Sequence, residues 1–219
     1  MTAPKTLNAQ NLGWIWAVAA ADAVTLAAVA FPSLTDAAVS WIASARAASA
    51  SLAPFIVLLL TSLLPSEAKA ALVFWRVRDV LPGHRAFSKH APADPRIDLE
   101  KLRAAVGPFP VEPRDQNSAW YRLFKSVETN PIVAEAHRYF LLFRDVAAMS
   151  IVLAVIVPLA LWLLGAGAKA VWISLGFFAV QYLGAAIAAR HHGVRLVCDV
   201  LAVHATAEQK TPSKKKKAA

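Results

Sequence analysis

Residues 146–165 read VAAMSIVLAVIVPLALWLLG, with no ionisable side chain among them. As a helix rising 1.5 Å per residue, a run of about 20 apolar residues crosses the ~30 Å hydrocarbon core of a bilayer. Residues 170–189 (AVWISLGFFAVQYLGAAIAA) repeat the pattern almost at once, and residues 13–31 (GWIWAVAAADAVTLAAVAF) anticipate it. A fourth stretch, residues 47–64, is shorter and contains Pro54. The composition agrees: 58% hydrophobic and 17% charged, where soluble domains hold about 45–50% and about 25%. The expected fold is therefore all-α, a polytopic helical membrane protein with four transmembrane helices and a small cytoplasmic insert between the second and third.

Charge threads the chain. Lysine and arginine beside spans mark the cytoplasmic side. Residues 65–145 hold 13 Lys/Arg against 10 Asp/Glu, and the tail from Arg190 holds seven against two. The other two connections carry only Arg46 and Lys169. Nearest the spans, Lys69, Arg76, Arg78, Arg138, Arg144 and Arg190 agree with the tally. Multi-pass insertion with both termini cytoplasmic follows. Trp14, Trp16 and Trp75 fall at the expected inner face and Trp41, Trp162 and Trp172 at the outer one, the interfacial placement that the indole ring favours. Four regions result: a first transmembrane hairpin over residues 1–65, an insert over 66–130, a long helix with the third span followed by the fourth span over 131–189, and an amphipathic segment with a lysine-rich tail over 190–219.

Within the insert, VLPGHRAFSKHAPADPR (residues 80–96) reads as an ordered or semi-ordered loop because of its prolines. IDLEKLRAAV, from Ile97, reads as a short amphipathic helix ended by Gly107-Pro108, PFPVEPRD as extended chain, and NSAWYRLFKSV, from Asn117, as a second short helix. Asn130-Pro131 is a strong helix start, a capping side chain followed by proline at the first position. The next proline is Pro158, so one helix is expected from Pro131 to about Leu164, with Ile132, Ala136, Tyr139, Phe140 and Phe143 on one apolar face. Beyond Gly193, Leu196, Val197, Val200, Leu201 and Val203 form an apolar face suited to docking on the insert.

Few residues suggest chemistry. Asp22 sits near the middle of the first span, where a charge costs about 2.5–3.5 kcal/mol on insertion scales, so it should face the bundle interior or a wet cavity. With Gln181 it makes up the intramembrane polar set; its uses would be conduction or assembly rather than catalysis. Gly176, Gly184 and Ala188 form a small-residue stripe suited to helix packing or a subunit contact. Trp120, Tyr121, Arg122, Lys125 and Arg138 are candidates for partner or lipid contact, as are Lys214, Lys215, Lys216 and Lys217, each worth about 1 kcal/mol near an anionic leaflet. Nucleic acid is a poor fit, because no recognition fold accompanies the lysines. Cys198 is the only cysteine, the histidines are scattered, and no catalytic, cofactor-binding or metal-binding residue is assigned. No cofactor is expected, and the chain does not read as an enzyme.

In its size, its four spans and its compact cytosolic insert, the layout resembles small four-span membrane proteins of bacterial antiphage defence systems. LPGHRAF, QNSAWYRLFK and HRYFLLFRD look like recurring family patterns. The resemblance implies a role as membrane-perturbing effector or membrane sensor. With the charge tally, the expected location is a bacterial inner membrane, and Asp22, Gln181 and the glycine stripe at subunit contacts would make the chain a channel component. Its partners would be the lipid bilayer, further copies of the chain as a homo-oligomer, and a cytoplasmic protein that signals to the insert. The competing expectations are a non-catalytic anchor or adaptor that recruits a soluble protein, and a small transporter or membrane enzyme.

Overall fold

The computed structural model describes residues 7–30, 64–163, 165 and 167–206. The second apolar stretch, most of the first hairpin connection and the lysine tail lie outside the described residues, as does Arg46. Those described form helices, with no strand among them. They are α1 (Leu7–Ala30), α2 (Ser66–Phe74), α3 (Leu99–Val106), α4 (Pro113–Val127), α5 (Pro131–Leu163) and α6 (Ala168–Thr206), with a run of helical turns between α2 and α3. Two of them, α5 and α6, are long and apolar enough to cross a membrane.

The chain divides into two compact units, residues 1–80 with 137–192, and residues 81–136 with 193–219. In the first, α1 presents Asn11, Ile15, Val18, Ala19 and Asp22, a stripe at helical spacing, and its apolar members pack on α5 and α6. Ala147, Phe178, Ala186 and Ala189 have no exposed surface there, and Met149 has almost none. Small residues contribute to this core, Ala147 from α5 and Ala185, Ala186 and Ala189 from α6.

The second unit has a core of a soluble type. Phe87, Ile97, Leu102, Trp120, Phe124, Val133 and Ala136 surround Leu196, Val197, Val200 and Leu201 from the C-terminal part of α6. The expected docking of this apolar face is thus a property of the fold. It happens without a break in the helix: α6 continues through Gly193 to Thr206. At its end His204 Nε2 lies 3.1 Å from the Leu123 carbonyl and 3.2 Å from Ser126 Oγ, tying α6 to α4.

Several local expectations need correction. Residues 82–93 are helical rather than looped: a 3₁₀ turn (Pro82–Arg85), a π turn (Ala86–His90) and one α turn (Ala91–Ala93) follow one another. Pro82 opens the first turn and Pro92 lies within the first two positions of the last, where proline loses no hydrogen bond. For the same reason α4 starts at Pro113, four residues before Asn117. Ile132 is exposed rather than part of the buried face, whereas Ala136 and Phe140 are buried. α3 starts at Leu99, two residues after the expected Ile97, because Asp98 caps it by accepting from Glu100 N and Lys101 N; its expected end holds, with Gly107 stopping it at φ 85°. Asn130 Oδ1 accepts from Ile132 N at 3.1 Å to cap α5, which runs to Leu163.

Candidate functional site

Asp22 is 3% exposed. Its Oδ1 accepts a hydrogen bond of 2.9 Å from Gln181 Nε2, so the two polar residues that the sequence sets within apolar stretches meet. The remaining oxygens, Asp22 Oδ2 and Gln181 Oε1, are buried and have no hydrogen-bond partner among the described residues. One turn-spaced stripe of α1 therefore carries Asp22, and α6 answers it across the bundle. At the other end of the stripe, Asn11 Nδ2 donates to the Arg138 carbonyl at 2.8 Å. Ser150 and Ser174 are buried but bond back to their own helices, at Val146 O and Val171 O.

A second polar cluster lies where the apolar stretches begin and end. Asp145, just before residue 146, accepts from Lys69 at 3.2 Å and from Arg144 at 3.0 Å. Tyr182 OH donates to Leu72 O at 2.8 Å and accepts from Trp75 Nε1 at 2.9 Å. Arg190, just after residue 189, donates through Nε to Val73 O, and its guanidinium lies 3.4 Å from the Trp75 ring centre. Trp75 itself closes α2 in the left-handed conformation, φ 52°. α2 is thus fastened to α5 by an ion pair and to α6 by a tyrosine and an arginine. Lone polar residues far apart in sequence give no signal for such a cluster; the basic residues beside the spans were its only trace.

The small-residue stripe is open. A Cβ placed on Gly176 or Gly184 would meet nothing within 4 Å, and both glycines are exposed, with Ala188 half-buried. Trp172, Gly176, Val180 and Gln181 help line a shallow groove of about 520 Å³ on the same face. No packing partner for the stripe exists among the described residues.

In the second unit Trp120 is 8% exposed and stacks on Phe124 at 5.6 Å, which makes it a core residue rather than a contact surface. Tyr121, Arg122 and Lys125 do face outward, although Lys125 is paired with Glu128 at 2.7 Å. Arg138, half-buried in the first unit, lies over the Tyr139 ring at 4.9 Å. Lys214 to Lys217 lie outside the described residues. Arg96 bridges Asp94 (2.7 Å) and Asp199 (2.8 Å), and this guanidinium holds the Asp94 carboxyl down to about 2. Arg195 adds a longer contact to Asp199, 3.4 Å. Burial, with Asp94 nearby, pushes the Cys198 thiol up to about 12, which leaves it protonated and unreactive near neutrality. Among the described residues no group of His, Cys, Asp and Glu could hold a metal ion.

With two helices long and apolar enough to cross a bilayer, the class is a helical protein suited to a membrane. No protein-family model matches the chain, and neither the curated proteins nor the solved structures include a match.

Proposed function

We propose that the chain is an inner-membrane protein that crosses the bilayer four times, with residues 66–130 and both termini in the cytosol. It acts as an oligomeric membrane effector, sensor or channel component, and its second unit receives a cytoplasmic protein. The observation that carries this reading is the continuity of α5 and α6. Each is one helix with an apolar stretch of membrane length, and each also supplies buried residues to the second unit: Val133 and Ala136 from α5, Leu196 to Leu201 from α6. A partner that shifts that core would pull on two spans directly. The open face of α6 at Gly176, Val180 and Gly184 supports assembly with further copies.

Asp22→Ala tests the reading, because it strands Gln181 in the bundle at a cost of about 0.6–2 kcal/mol. The variant is expected to alter subunit number in native mass measurement or dye leakage from liposomes, with Asp22→Asn closer to wild type. Unchanged leakage and unchanged assembly in Asp22→Ala would remove Asp22 and Gln181 from the effector reading.

A second reading, a non-catalytic adaptor, is favoured by the outward Tyr121, Arg122 and Lys125 of α4. Under it, Tyr121→Ala with Arg122→Glu abolishes co-purification of a soluble protein while membrane insertion and leakage stay as they were.

A further inference from the structure

Residues 75–79, Trp-Arg-Val-Arg-Asp, follow α2 without joining another helix. Their exposure is unusual in kind. Trp75 is 53% and Val77 95% exposed, and Arg76 and Arg78 are exposed between and after them. An almost bare valine beside a half-bare tryptophan is poorly suited to water, whereas an interface between water and hydrocarbon accommodates both. The register of the segment is fixed by the contacts of α2, since Asp145 and Arg190 stand at the ends of the apolar stretches 146–165 and 170–189. Residues 75–79 therefore sit at the level where hydrocarbon gives way to headgroups.

Charge at this level is matched only in part: the segment itself carries one carboxylate, Asp79, against Arg76 and Arg78. Lys69 and Arg144 are both engaged by Asp145. Arg190 instead stacks on Trp75 and binds a backbone carbonyl, and Arg76 lies close enough to repel it. Among the described residues no carboxylate forms an ion pair with Arg76, Arg78 or Arg190. Two exposed guanidinium groups that follow Trp75 in sequence and a third stacked on its ring, none in an ion pair among the described residues, suit the phosphodiester of a lipid, which a planar fork of N–H donors can grip in bidentate fashion.

We infer that Arg76, Arg78 and Arg190 form a binding site for the headgroup of an anionic phospholipid, with Trp75 as its floor and Val77 set into the acyl layer. The site rests on the membrane-spanning reading and adds to it a defined lipid class and three defined contacts. Arg190 also holds α2 in place, so Arg76 and Arg78 are the residues to change.

The full chain purified in detergent is titrated with phosphatidylglycerol, with phosphatidylcholine and with inorganic phosphate, and bound lipid is counted by native mass spectrometry. The wild type is expected to prefer phosphatidylglycerol. Arg76→Gln with Arg78→Gln should weaken phosphatidylglycerol binding about 30-fold, the equivalent of ~1 kcal/mol for each cation, without changing phosphatidylcholine binding. Arg122→Gln with Lys125→Gln removes the same charge from another unit and should leave the preference intact. Three results would overturn the site: a preference that survives in the Arg76/Arg78 variant, an equal loss in the Arg122/Lys125 variant, or displacement of the lipid by phosphate at matching concentration. Alkaline washing of membranes separates the two levels of the argument. A chain retained there but lacking lipid preference refutes the site alone, and a chain released by alkali refutes both.

Discussion

His90 is 8% exposed in the second unit, and its imidazole is held down to about 4 by burial first and by Arg85 and Lys89 after that. An unfolded histidine titrates near 6.5. Between those values the unfolded chain carries a proton that the folded one lacks, so the stability contributed is full above pH 6.5 and is lost as pH falls towards 4. A thermal midpoint measured in detergent should drop over that window, and His90→Leu should flatten the curve; an unchanged slope in the variant would contradict the assignment. Gln116 shows how little of this could be read beforehand. It is 2% exposed, its Oε1 accepts from Phe87 N, Ser88 N and Ser88 Oγ, and its Nε2 donates to Val111 O. In the sequence it is one polar residue in a polar stretch. Asp22 was the opposite case: its apolar neighbours alone required a buried partner, although the sequence offered Thr25, Thr61, Ser150 and Ser174 as well as Gln181, and only the structure selects Gln181.

At the scale of elements, proline decided what was legible. Where proline followed a capping residue, as at Asn130-Pro131, the start of α5 could be placed to the residue. Where prolines were numerous, between residues 80 and 113, the same residue type looked like a breaker while in fact opening helical turns. The turns so formed are pressed on α4. A Cβ on Gly83 would stand 2.4 Å from Asn117 Oδ1 and 3.0 Å from the Trp120 ring. Gly83→Ala is therefore expected to destabilise the unit by about 1–3 kcal/mol, the usual cost of overpacking. Adding Asn117→Ala clears the nearer of the two contacts and should restore part of the loss in a denaturation series. A double variant no more stable than Gly83→Ala would argue against the close approach.

For the whole molecule, hydropathy made the two long helices plain, because membrane length is a property of composition and needs no knowledge of contacts. The division into two compact units was harder to see, since its boundaries cut through α5 and α6 rather than between elements. The proposed topology makes a direct demand. A cysteine placed at Gly167 should react with an impermeant maleimide added outside intact cells, and one at Lys101 only after the membrane is opened. Labelling in the reverse sense would invert the orientation. Such mapping ordinarily begins by deleting native thiols. Here Cys198 is buried among Leu196, Val197 and Leu201 and stays protonated, so the natural polypeptide already behaves as a silent background, and every introduced probe reports on its own position alone.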